Sequence, residues 1–242
     1  MELLNKDLRR RIIKKAYEEG LGHNGSALSC VDAIAYLYRE VMKEKDTFIL
    51  SKGHGAMALY VVLESLGKEV KWEMHPKYNE REGISATTGS LGHGLPIGLG
   101  RAYAKKIKGE GGRVYVLTGD GEMEEGSIWE SLILADRLDV NLNVLVDWNK
   151  YQVAGSVDEI ARISQKSLEK KLIAFGCKNV STIDGHDDSD LFRIRALGWG
   201  LNAVILDTVK GKGVKMLEET HSHGFDWRKN PDAYRKALEE LE

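Results

Sequence analysis

"VYVLTGDGEMEEGS", residues 114–127, sets five strand-favouring residues directly against a loop of three glycines and four acids. A run that is apolar nearly throughout, without polar alternation, reads as a parallel strand covered on both faces. The glycine-acid loop then lies at that strand's carboxyl end, and a helical pattern beginning near Ser127 carries the chain back. Such a loop can serve as a metal site, as a phosphate cradle, or as a solvated turn.

Working outward, similar short runs stand at 48–50 ("FIL"), 143–148 ("NVLVDW"), 179–183 ("NVSTI") and 203–209 ("AVILDTV"). Amphipathic helices are expected over 3–19, 29–43, 56–66, 96–108, 126–138, 158–175 and 187–198. Strands alternating with helices predict an α/β chain: a doubly wound, mostly parallel sheet with helices on both faces. Ligands of such sheets bind outside the carboxyl ends of the strands. The strand "NVLVDW" delivers Asn149 to the same edge as Asp120, one βαβ unit later, with 27 residues between Gly121 and Asn149. A carboxylate and an amide oxygen on one rim are hard-cation ligands, suited to Mg²⁺ or Ca²⁺, and a cation held by so few groups completes its shell with phosphate and water. Glu122 and Glu124 read as a solvated helix-entry face, favourable at the positive end of the helix dipole. The glycine spacing is not the dinucleotide fingerprint.

The rest of the composition narrows the field. The 242 residues are 42% hydrophobic, enough for a sizeable core, and 35 basic against 37 acidic residues give a net charge of −2. That balance leaves no electrostatic footprint for nucleic acid or an anionic membrane. No apolar run is long enough to span a bilayer, and the N-terminus mixes acids with bases at helical spacing rather than forming a secretion signal. Cys30 and Cys177 lie far apart in apolar settings, as reduced thiols of a cytoplasmic protein do. Five of the seven histidines touch a glycine, in "GHNG", "SKGHG", "LGHG", "DGHD" and "HSHG". Glycine beside histidine permits tight turns that aim imidazole and backbone N–H groups into one cleft, suited to an anionic ligand and to proton transfer near neutral pH. The spacings fit no common zinc pattern.

These motifs together resemble the transketolase family. "GDG", 27 residues and then Asn149-Lys150 is similar to the thiamine diphosphate-binding signature, and "GHNGSALS", "FILSKGHGAMALY", "ATTGSLGHGLPIGLG", "GDGEMEEGSIWES", "DWNKYQVAG" and "TVKGKGV" follow in the family's order, from about residue 5 to 230. The resemblance implies one diphosphate-binding domain over 1–242, the N-terminal subunit of a split, two-chain transketolase. The pyrimidine-binding domain would stand on a partner chain, in an α2β2 heterotetramer. The resemblance also implies thiamine diphosphate and Mg²⁺ as cofactors, with Asp120, the Asn149 side chain and the Tyr151 carbonyl on the metal. Gly119, Gly121 and Glu122 would lie in the diphosphate loop, and Gly89, Ser90 and Leu91 would meet the aminopyrimidine. Lys210 and His223 match the basic pair near diphosphate and substrate, and His54 faces both cofactor and substrate. His23, His54, His75 and His223 would bind substrate oxygens and shuttle protons, and Glu125 matches the acid that couples two cofactor sites across an interface. The implied reaction moves a two-carbon ketol unit from a ketose to an aldose, on sugar or sugar-phosphate substrates.

The chain also departs from the family. Only "GKEVKWEM" separates Leu66 from His75, the arginine that meets a substrate phosphate has no counterpart there, and His75 lacks its preceding glycine. The stretch from "KGKG" to "HSHG" is one residue short, which makes His221 a rival for the place of His223. The alternatives are a component of a 2-oxo acid dehydrogenase, which shares the GDG signature, and a non-catalytic cofactor-binding partner.

Overall fold

The computed structural model describes residues 3–218 and 224–242. Strands β1 (Thr47–Leu50), β2 (Val114–Gly119), β3 (Leu142–Trp148), β4 (Asn179–Asp184) and β5 (Leu201–Asp207) form one sheet in the order β1-β2-β3-β5-β4. Every pairing in it is parallel, as the unalternated apolar runs predicted.

The period of two divides each strand between two cores. Phe48, Leu50, Tyr115, Leu117, Leu145, Val204 and Leu206 face one, packed with α1 (Lys6–Glu19), α2 (Asn24–Tyr36), α3 (Ala56–Ser65) and α8 (Asp188–Arg195). Ile49, Val114, Val116, Val144, Val146 and Ile205 face the other, covered by α4 (Gly94–Ile107), α5 (Gly126–Leu138) and α7 (Gln165–Ala174). The returning helices α4, α5 and α7 share a face while the chain advances from β1 to β4, and α8 lies opposite where the chain steps back to β5. Crossovers of one constant hand require that swap. Close approach matters too: a Cβ on Gly98 of α4 would stand 2.4 Å from Val116 Cγ2, so only glycine lets this helix settle on β2.

Register is pinned by a polar ladder, buried at Asn143 and Asn202. Asn179 donates to Asn202 at 2.7 Å and Asn202 donates to Asn143 at 3.1 Å, across three strands at matching positions. A slip by one residue would break both bonds and turn the apolar side chains outward or into the wrong core.

Several expected elements change. α2 starts at Asn24 rather than 29, because every residue from Asn24 to Ala35 is buried and leaves no polar face to mark a period. It ends at Tyr36 and continues as a π-helical turn, Leu37–Val41. The expected helix 158–175 is two, α6 (Val157–Ile160) and α7, separated where Arg162 takes a left-handed φ of 53°. The strand expected to reach 209 ends at Asp207. A short α9 (Lys215–Glu218) and the helix α10 (Pro231–Glu240) were not anticipated from the sequence. α10 and the fully buried Trp227 pack against the α1 side of the sheet.

Candidate active site

Parallel pairing brings the carboxyl ends of β1, β2, β3 and β5 to one edge, and the loops leaving them wall a cleft of about 400 Å³. The turn after β1 brings Lys52 and His54, β2 ends at Gly119 and the loop after it brings Asp120 and Gly121, the segment after β3 delivers Asn149 and Tyr151, and Lys210 follows β5. The start of α2 adds His23 and Ser26, and the loop before α4 adds His75, Gly89 and Leu91. Gly53 is required here, since a Cβ would meet the Gly89 nitrogen at 2.7 Å and the Thr88 carbonyl carbon at 2.8 Å. The two loops therefore touch backbone to backbone beneath the cleft.

Asp120 is 3% exposed. Its Oδ1 accepts from the Gly121 N–H at 2.8 Å and its Oδ2 from the Lys150 N–H at 2.7 Å. Lys150 reaches that position with a left-handed φ of 74°, unusual for a residue with a side chain. Among the described residues Asp120 has no ion-pair partner, and burial, reinforced by the nearby Asp147, pushes its carboxyl up to about 7. A buried acid with no ion-pair partner among the described residues, beside the Asn149 amide and the Tyr151 backbone, is an all-oxygen donor set that fits a hard cation. Among the described residues no group of three or more His, Cys, Asp or Glu could hold a metal, so a zinc site of that kind has no ligands there.

Glu122 differs from its expected solvated role. It is 1% exposed; one carboxylate oxygen accepts from Ser51 Oγ and from the Gly92 N–H at 2.8 Å, and the other accepts from the Gly119 N–H at 3.2 Å. Burial raises its carboxyl, against the pull of those donors. Glu122 thus lines the cleft as a clamp joining three loops, with both oxygens already engaged. Glu124 and Glu125 are exposed at the rim. Glu122→Ala is expected to lower stability by roughly 2–3 kcal/mol, the scale of leaving several buried donors unsatisfied. An unchanged urea midpoint would show that the clamp holds nothing.

Beneath the cleft Lys52 and Asp147 form an ion pair with both side chains fully buried. Burial works to raise the Asp147 carboxyl, but Lys52, Ser29 and Thr208 outweigh it and hold it low. Burial likewise works to lower the Lys52 ammonium, and Asp147 outweighs it, so both stay charged. Lys210 is buried beside the Tyr151 ring, 5.4 Å from its centroid; burial lowers its ammonium while Asp120 opposes that.

Three histidines converge in the cleft, with ring centroids 6.0 Å apart for His23 and His54 and 5.8 Å for His23 and His75. His75 reaches it despite lacking its glycine, by packing over Gly89. Ser90 is exposed and does not line the cleft. His221 and His223 lie outside the described residues. His93 is exposed and His186 bonds Asp32 and the Val209 N–H, so neither joins the cluster. A larger depression of about 580 Å³ lies beside β4 and β5, but its acids are spent on structure: Asp207 pairs with Lys150 at 2.9 Å and Asp190 accepts from the Asp184 N–H at 2.8 Å. The histidine-lined cleft is the candidate site.

Comparison with known proteins gives the family. Residues 6–226 match the family model described as "Transketolase, thiamine diphosphate binding domain". The chain belongs to the transketolase family. It is 34% identical over 244 residues to one of the subunits of the apulose-4-phosphate transketolase of Phocaeicola vulgatus, covering 90% of this chain and 85% of that one. It is 33% identical over 264 residues to "6-deoxy-6-sulfo-D-fructose transketolase subunit SqwG" of Clostridium sp. (strain MSTE9), covering 97% and 94%. Its fold matches the transketolase crystal structure from Campylobacter jejuni with a TM-score of 0.79 at 22% identity, covering 98% of this chain and 42% of that one. The transketolase relatives named as subunits are thus matched over most of their length, whereas the solved enzyme extends well beyond the match.

Sequence reasoning missed Ser26, Lys52, Asp147 and Gln152 in and beneath this cleft. A signal existed for Asp147: an acid inside the apolar run "NVLVDW" calls for a buried partner. Nothing in the sequence identified Lys52 as that partner, since the two are 95 residues apart and meet only across the sheet edge.

Proposed function

We propose that this chain is the diphosphate-binding subunit of a two-chain transketolase, active when a pyrimidine-binding subunit completes its site. The observation carrying the proposal is Asp120, a buried carboxylate with no ion-pair partner among the described residues, at the parallel-sheet edge in a cleft that Asn149 and three histidines also line. Asp120, the Asn149 amide oxygen and the Tyr151 carbonyl would hold Mg²⁺. Gly119 and Gly121 leave room for a diphosphate, Lys210 adds a cation beside it, and the backbone of Gly89 and Leu91 meets the aminopyrimidine. Thiamine diphosphate, when bound, supplies the nucleophilic carbon and the electron sink for breaking the bond next to a ketose carbonyl. The chain's own part is placement and proton handling: His23, His54 and His75 bind substrate oxygens and hold protons at ring nitrogens in a partly dry cleft. Glu125 is exposed at the rim, and its role is to meet a neighbouring subunit and couple two sites.

Names of relatives support the two-chain reading, because two of them are called subunits and are matched over 85% and 94% of their length. The working assembly is two copies of each chain, on a sugar or sugar-phosphate ketose donor and an aldose acceptor. Both cysteines are free and buried, in keeping with a reducing cytoplasm. Among the described residues no helix is long and apolar enough to cross a membrane.

Calorimetric titration of the purified chain with thiamine diphosphate, with Mg²⁺ and with EDTA, tests the cofactor assignment. Binding should need the metal. It should also weaken as pH falls through about 7, because a proton then occupies the Asp120 carboxyl that the cation needs. The sign for the cation-free fold is the reverse. Asp120 binds its proton more tightly folded than unfolded, so its stabilisation is present at low pH and lost as pH rises through about 7. Metal-independent binding, or an affinity flat between about pH 6 and 8 on either side of that titration, would contradict the assignment.

A further inference from the structure

Asp147 is an acceptor surrounded by donors from four segments. Lys52 reaches its Oδ2 from the turn after β1, Ser29 Oγ donates to Oδ2 at 2.6 Å from α2, and Thr208 Oγ1 donates to Oδ1 at 2.5 Å from beyond β5. The fourth donor is Asn149 Nδ2, at 3.2 Å from Oδ2. Lys52 is held in turn by the Ser26 carbonyl at 3.2 Å. An asparagine amide can be turned either way, offering oxygen or NH₂ to a given side. Here the carboxylate admits one answer: NH₂ toward Asp147, and oxygen away from it, where it also accepts from the Tyr151 N–H at 3.1 Å.

We infer that Lys52 and Asp147 are positioning residues which fix the Asn149 amide with its oxygen toward the cation site. The inference rests on the metal role proposed for Asn149, and it explains why a fully buried ion pair stands under the cleft. Paired with Lys52, Asp147 accepts from all four donors, and the Asn149 amide is thereby denied its other orientation. Replacing Asp147 by asparagine puts an NH₂ among those donors. Turned toward Asn149, that NH₂ is satisfied only if Asn149 presents its oxygen inward and its own NH₂ to the cation site. Turned toward Thr208, whose hydroxyl can accept, it leaves Asn149 as it was, so the amide is no longer held to one orientation.

The test is a comparison of variants by Mg²⁺-dependent thiamine diphosphate calorimetry on the full chain. Asp147→Asn leaves Lys52 buried without its partner, so the charge-balanced pair Lys52→Met with Asp147→Asn is measured beside it. The balanced variant should bind roughly tenfold to hundredfold more weakly, the usual cost of removing an outer partner of a ligand. Asn149→Asp has oxygen at both ends and no orientation to choose. In that background the same balanced change should cost less than about threefold, as expected when coupling between neighbours has been removed. An equal loss in both backgrounds would mean a general structural role, and no loss in either would mean that the amide is fixed by something else. Either result overturns the inference while leaving the cofactor reading intact. A parent chain that binds nothing with Mg²⁺ present would remove the cofactor reading itself.

Discussion

Asp120→Asn should reduce Mg²⁺-dependent thiamine diphosphate binding by more than about a hundredfold, since even the outer partners of a metal ligand are worth tenfold to a hundredfold. Asp120 is the carboxylate of the proposed donor set, and a dication held otherwise by neutral oxygens loses most of its attraction without it. The same variant should behave differently without the metal. Above about pH 7 the parent carries a buried negative charge with no ion-pair partner among the described residues. Removing that charge relieves the cost of burying it, while one backbone bond, from Gly121 or Lys150, meets an NH₂ and is lost. The cation-free variant should therefore be at least as stable as the parent by thermal melting in mildly alkaline buffer. Weaker binding with undiminished stability is the signature of a residue kept for its ligand. A variant that binds as the parent does, or that melts well below it, would assign Asp120 to the scaffold.

Lys52→Met should be the most damaging single change to the fold near the site. Breaking a fully buried pair by removing one member leaves the other charge unpaired, at a cost of roughly 3–5 kcal/mol. For a domain of this size that lowers the melting temperature by about 10 °C. Asp147 would also leave four segments less firmly joined, since its acceptors serve α2, the turn after β1, β3 and the end of β5. Adding Asp147→Asn should recover part of the loss, because the lone charge is gone. Urea unfolding of the single and double variants checks this. A single variant within about 1 kcal/mol of the parent, the range of an exposed pair, would show that the pair is not buried in solution.

The layered sheet was legible because β2, β3 and β5 are apolar on both faces, so strand and parallel pairing announce themselves together. The meeting of Asp120 and Asn149 on one rim was legible because one βαβ unit returns the chain to the same edge. α2 was harder. Its glycine- and serine-containing start is buried on every side, and a pattern needs a polar face to be seen. α10 and Trp227 were missed because what makes them structural is packing against α1, at the opposite end of the chain. Glu122 was misread for a related reason. Helix-dipole arguments favour an exposed acid at a helix entry, whereas the backbone N–H groups of Gly92 and Gly119 and the Ser51 hydroxyl create a buried seat for it. Such seats arise from loops far apart in sequence.

If this chain and a pyrimidine-binding chain make one active site between them, neither should turn over substrate by itself. Ketol transfer from a ketose donor to an aldose acceptor, with thiamine diphosphate and Mg²⁺ present, is the direct assay. It compares this chain by itself, a co-expressed pyrimidine-binding transketolase subunit by itself, and the two together. Turnover is expected from the mixture and from neither chain separately. Sustained turnover by this chain in isolation, or none by a mixture that binds the cofactor, would contradict the two-chain site.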